Sequence, residues 1–178
     1  MISFFYCNFA QFFKTIMSNH VKLERINSSG KVAIYSVLYE GETQNEFQKF
    51  IGKYGADSAY KHDLEIILAR IQKIEKDGAA DRHFRYEGKM REHIRAIPPN
   101  IETSKLRLYC LCFAECILVL GGGGVKAKET RTWQDDPQLT KCVTELQKMD
   151  KVLSAEIRKN PLKFKNIESL SDIDILIN

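Results

Sequence analysis

The 178-residue chain is 44% hydrophobic and 28% charged, with a net charge of +4. That length holds one hydrophobic core and is short for two ordinary domains, and the composition excludes wholesale disorder. So mild a positive balance is compatible with a nucleic-acid partner without demanding one.

The segment from Met1 to Met17 is aromatic-rich, with its one lysine, Lys14, late in the run. A secretory signal has its positive charge first and a longer apolar stretch after it, and a bilayer span needs about 20 apolar residues. Two readings stay open: an upstream mis-start with translation beginning at Met17, or a short helix packing its Phe side chains on the body. We therefore divide the chain into an extension (1–17), a single α+β domain (18–160) and a weakly patterned tail (161–178).

Val21 to Arg25 and Lys31 to Tyr39 read as strands joined by the turn-forming Asn27, Ser28, Ser29 and Gly30. The second is apolar on both faces, which predicts a central strand. Thr43 and Glu46 fit a capping box for a helix from about Gln44 to Tyr54, with Gly55 ending it in the left-handed conformation. A second helix is predicted over Ala59 to Asp77. Leu64, Ile67, Leu68, Ile71 and Ile74 form its apolar stripe, and Gly78 closes it. The stretch from Arg82 to Arg95 reads as irregular or partly extended, stopped by Pro98 and Pro99.

Lys105 to Phe113 and Cys116 to Leu120 are predicted strands with Ala114 and Glu115 as their turn. Gly121 to Gly124 follow, and then Val125 to Thr132 as a further, basic strand. The glycines lack the Gly-x-x-x-x-Gly-Lys-Ser/Thr spacing and following helix of a phosphate loop, so a bend or bulge is the expectation. Asp136 and Pro137 signal a helix reaching about Lys159, with Leu139, Val143, Leu146, Met149 and Leu153 on its inner stripe. The five cysteines (Cys7, Cys110, Cys112, Cys116, Cys142) read as free thiols; the Cys110, Cys112, Cys116 run lacks a second ligand pair, and zinc is rejected.

Charge distribution is more telling than its sum. From Arg82 to Arg131 there are ten Lys/Arg against five acids, a net +5 that exceeds the whole chain's +4. Those cations are interleaved with His83, Phe84, Tyr86, His93 and Tyr109, a mixture suited to phosphate contact and base stacking. The plain alternative is a solvated basic face. RNA cleavage needs no metal in such a setting, because the 2′-hydroxyl is an internal nucleophile.

Two helices, a basic extended segment, and then Leu106-Arg-Leu-Tyr-Cys, Ile117-Leu-Val-Leu-Gly and Val125-Lys-Ala-Lys-Glu-Thr resemble the RelE/HigB superfamily of toxin–antitoxin toxins over about Val32 to Leu153. The resemblance implies a twisted antiparallel sheet packed on an N-terminal helical hairpin, here with an added C-terminal helix. It implies a cytoplasmic, ribosome-dependent mRNA endoribonuclease without metal or other cofactor, neutralised by a cognate helix-turn-helix antitoxin and with no membrane partner. By position it makes Arg107, Tyr109, Arg85, His83 and His93 the catalytic candidates and Lys126, Lys128, Arg131, Lys89 and Arg91 the RNA contacts. Arg107 and Tyr109 share strand parity and should face one side. The chain departs from the pattern in its length, its helix after Asp136, and the lack of a C-terminal catalytic Tyr or His. The alternatives are a non-catalytic, ParE-like gyrase inhibitor and a phage-derived nucleic-acid-binding protein on the same fold.

Overall fold

The computed structural model describes residues 20–27, 29–87, 92–99, 104–127, 132–159 and 175–176. The segments 1–17, Lys89, Arg91, Lys128 and Arg131 therefore lie outside the described residues.

The α+β expectation holds: among the described residues, three α-helices accompany a seven-stranded, mostly antiparallel sheet. Strands β1 (His20–Arg25) and β2 (Ala33–Tyr39) form the first hairpin. Helices α1 (Glu46–Gly55) and α2 (Lys61–Asp77) follow. Then come β3 (Arg85–Tyr86), β4 (Ile94–Ile97), β5 (Leu106–Phe113), β6 (Ile117–Val125), α3 (Pro137–Lys159) and β7 (Ile175–Leu176). The sheet order is β3-β4-β5-β6-β2-β1-β7, antiparallel throughout except where β2 runs parallel to β6. The two tail residues of β7 pair with β1, giving part of the weakly patterned tail a place on the sheet edge.

Helices cover both faces, which is why β2 is apolar on both of its sides. Ile34 packs with Phe47, Phe50, Ile67 and Ile74 of α1 and α2, whereas Tyr35 and Val37 belong to the core under α3. The five predicted α3 stripe residues are all buried there. At roughly 1.5–3 kcal/mol for each such side chain, they are enough to fix the helix on the sheet.

Several local expectations are corrected. The α1 cap is Asn45: its side chain accepts from Gln48 N–H at 2.9 Å, and Gln48 returns an acceptor to Asn45 N–H at 3.0 Å. Asn45 prevails over Thr43 because its amide also donates to Glu24 at 2.6 Å on β1. Gly55 remains helical and Ala56 ends α1 in a right-handed conformation, whereas Gly78 does leave α2 at φ +109°. The β5–β6 turn uses Ala114 and Glu115 at φ 48° and 58°.

The glycine run is a bulge inside β6. Leu108 pairs with Gly123 and Cys110 with Leu120, so Gly121 and Gly122 together face Tyr109. The strand runs through all four glycines and ends at Val125, so Lys126 and Ala127 do not continue as the expected basic strand, whose residues 128–131 lie outside the described residues. A Cβ on Gly121 would stand 2.9 Å from Leu146, and one on Gly124 2.8 Å from Leu139. The glycines therefore let α3 approach the strand closely, a packing role that leaves no need for a phosphate.

Candidate functional site

Three of the basic residues, Arg85, Arg107 and Lys126, come together at the end of the sheet formed by β3, β5 and the exit of β6. Arg85 on β3 pairs with Ala96 on β4, which pairs with Tyr109 on β5, so the three stand abreast on the α3 face. Arg107 is two residues before Tyr109 and shares its face. Lys126 is tied in by its N–H, which donates to the Lys105 carbonyl at 2.7 Å. Glu87 supplies the carboxylate, 3.1 Å from Arg85 Nε, and Trp133 Nε1 donates to the Glu87 carbonyl at 2.9 Å.

The electrostatics are those of crowded cations. Burial lowers the Arg107 pKa, and Arg85 lowers it further. The Lys126 pKa is also lowered, by burial and then by Arg85. Burial pushes the Glu87 carboxyl up despite Arg85, Lys126 and Arg107 around it. Glu87 faces all three cations, Asp135 also acts on Lys126 and Asp63 on Arg107, and the close approach of Arg85 to both other cations makes this end of the sheet locally basic.

Arg107 and Tyr109 are not surface groups, however. Arg107 is 6% exposed and donates from one guanidinium nitrogen to the Ser104 and Leu106 carbonyls at 2.9 and 2.8 Å. Its Nε is buried with no partner among the described residues. Tyr109 is 1% exposed in the core beneath α3, and burial raises its phenol pKa. The shared parity is correct, but the face they share is covered by a helix. Arg85 and Lys126 are the partly exposed members of the cluster.

The histidines stand elsewhere. His83 lies in a short 3₁₀ turn (Asp81–His83), buried, with Nδ1 3.4 Å from an Arg70 nitrogen of α2. Burial and the neighbouring Arg82 and Arg70 lower its pKa. His93 sits beside Cys112, whose N–H donates to its carbonyl at 3.0 Å. Cys112 stands five positions along β5 from Arg107, roughly 17 Å of strand. The catalytic candidates named from the sequence thus divide among three places: Arg85, Arg107 and Tyr109 together, His93 apart on the same face, and His83 beside α2.

His93 has partners that sequence reading missed. Its Nδ1 is 2.7 Å from Asp150 Oδ1 on α3, and its N–H donates to Asp150 Oδ2 at 3.0 Å. Ser154 Oγ also donates to Asp150, at 2.9 Å. These bonds hold the carboxyl below its usual range, against the opposing effect of burial. The available signal was Asp150 itself, an acid on the inner stripe, four residues after Leu146 and three before Leu153.

A third feature lies on the other face at the β3 edge. Tyr86 is 53% exposed, and the Arg95 guanidinium stacks 3.7 Å from its ring centroid. Such a pair offers a nucleobase a surface to stack on. Among the described residues, no group of three His, Cys, Asp or Glu side chains is placed to hold a metal, and no helix is long and apolar enough to cross a membrane. No family model, curated protein or solved structure matches the chain.

Proposed function

We propose that the protein is an RNA-directed toxin of the RelE/HigB kind, a ribosome-dependent mRNA endoribonuclease restrained by a small antitoxin partner. The observation that supports this reading is the convergence of Arg85, Arg107 and Lys126, from three separate segments, on one end of the sheet. Arg85 and Lys126 take the phosphates, while buried Arg107 adds positive potential from below. Around the β3 edge, on the other face, the Tyr86–Arg95 stack suits an unpaired base. Induced expression should stop translation and leave mRNA with new 5′-hydroxyl ends, and the R85A/K126A double variant should relieve the arrest. Full growth arrest by that variant, with the same cleavage, would overturn the assignment of the surface.

One observation favours a second reading. Arg107 and Tyr109, the residues the resemblance puts at the scissile phosphate, are buried. A nucleic-acid binder that acts without cutting, as in a ParE-like gyrase inhibitor, needs only the basic end. DNA damage preceding any loss of translation would decide for it.

A further inference from the structure

The cleft beside the second half of α3 is a separate piece of chemistry. It encloses about 430 Å³ and is lined by His93, Glu92, Phe113, Asp150, Lys151 and Arg158 among others. Phe113 packs against the imidazole with ring centroids 4.4 Å apart. Asp150 grips both the ring and the backbone of His93, so the imidazole is fixed in position and orientation. A carboxylate at Nδ1 selects the tautomer with Nδ1–H toward Asp150, and in that tautomer the neutral ring accepts a proton at Nε2.

The Ser154 hydroxyl does not complete a nucleophilic triad. It bonds to Asp150 and lies 3.5 Å from Nδ1, the nitrogen already committed to the carboxylate. An activated serine belongs on Nε2. What the cleft offers instead is an oriented proton acceptor with the cations Lys151 and Arg158 on its wall. Asp150 would cover the sheet more simply as a leucine; its carboxylate is accounted for by the three donors it holds.

Resting on the ribonuclease reading above, we infer that this cleft is where the RNA is cut, with His93 as the general base and Asp150 as its positioning residue. His93 Nε2 takes the proton of the ribose 2′-hydroxyl. The 2′-oxygen forms a bond to phosphorus, the bond from phosphorus to the 5′-oxygen breaks, and water protonates the departing oxygen. The products are a 2′,3′-cyclic phosphate and a 5′-hydroxyl, with no change of oxidation state. Lys151 and Arg158 balance the charge of the phosphorane. The basic end roughly 17 Å away along β5 then holds the flanking chain.

The test combines binding and cleavage on the full-length protein. Uridine 3′-monophosphate is titrated while the imidazole ¹⁵N resonances are followed. The His93 Nε2 signal should move, and the K151A/R158A double variant should bind at least roughly tenfold more weakly. Ribosome-bound mRNA is then supplied to wild type, H93Q and D150N. Loss of a general base predicts a fall of roughly 10²- to 10⁴-fold for H93Q. D150N should show a protonated Nε2 in its ¹⁵N spectrum and a displaced pH–rate profile at near-native Tm, and D150E should restore part of the rate; a merely structural aspartate would do neither. The charged groups lining the cleft with His93 and Asp150 are Glu92, Lys151 and Arg158, and none is altered in D150N. A silent His93 resonance at saturating nucleotide overturns the site whatever the cleavage result. Wild-type rates from H93Q overturn the inference and leave the ribonuclease reading standing. Nucleotide binding at His93 with no cleavage by wild type overturns the ribonuclease reading, and the proton-transfer role falls with it.

Discussion

The basic end and the His93 cleft lie on the same face of one sheet, under opposite ends of one helix, and they are built on different principles. The basic end gathers charge: burial and the nearby Arg85 lower both Arg107 and Lys126, with the Glu87 carboxyl among them. The cleft gathers direction: one carboxylate takes three donors and fixes one imidazole. Charge can attract a polyanion from a distance, but it positions a reacting atom poorly; hydrogen bonds do the reverse. A protein that binds and cuts RNA needs both.

The largest test of that division is Arg107, which the sequence places in the site and the structure places beneath it. Arg107→Ala should cost about 3 kcal/mol of stability, as expected for truncating a buried, hydrogen-bonded side chain. For a chain of this length that is roughly 6–12 °C in Tm. Arg107→Met keeps the volume and removes the unpartnered Nε, so it should recover most of the loss. If Arg107→Ala unfolds at the wild-type temperature and only RNA binding falls, Arg107 is a surface contact and the division fails.

Asp150 comes next. Asp150→Ala orphans two His93 donors and the Ser154 hydroxyl, a loss of about 2 kcal/mol by thermal or urea unfolding. Its folded pKa is below the ordinary carboxyl value of 3.8, so its contribution is present above that value and is lost as pH falls through the folded one. The gap between wild type and Asp150→Ala should stay constant down to about pH 5 and close in stronger acid. A gap that closes between pH 8 and 6 would mean that the carboxylate is not what matters.

These two residues also mark what the sequence could and could not reveal. The α3 stripe from Leu139 to Leu153 was legible because helical periodicity is a local property, and the β5–β6 hairpin because its apolar runs flank a two-residue turn. The parallel pairing of β2 with β6 was not, since strand order depends on contacts more than 80 residues apart in the chain. Nor does periodicity say which face a helix covers, and that one fact turns Arg107 and Tyr109 from a proposed reactive surface into buried groups. The basic end was visible as composition. The cleft was not, because His93 and Asp150 are 57 residues apart and neither stands in a motif.

At the basic end itself, removing exposed charge should change binding and not folding. The R85A/K126A double variant should bind single-stranded RNA roughly tenfold more weakly near 0.1 M salt, with a salt slope shallower by about 1.4. Its Tm should stay within a few degrees of wild type, allowing for the Arg85–Glu87 ion pair. H93Q should leave that affinity and slope untouched, because it removes neither cation of the basic end. An equal loss of affinity in both variants would merge the two regions into one site.

The smallest effect belongs to Glu87, and it separates attraction from fold in a single residue. Its folded pKa is raised, chiefly by burial, so the native state holds the proton more tightly than the unfolded chain does. Wild-type stability should therefore decline slightly as pH rises from the ordinary carboxyl value through the folded one, and then level off. E87Q keeps the shape, cannot ionise, and should show no such decline. Removing the negative charge also takes away the one carboxylate that acts on both Arg107 and Lys126 and pairs with Arg85, so E87Q should bind RNA more tightly than wild type at low salt. The gain should fade as the ionic strength approaches 1 M, where the Debye length is about 3 Å. Weaker RNA binding by E87Q would mean that the carboxylate positions Arg85 through their 3.1 Å contact more than it neutralises it. The basic end would then depend on geometry as the cleft does.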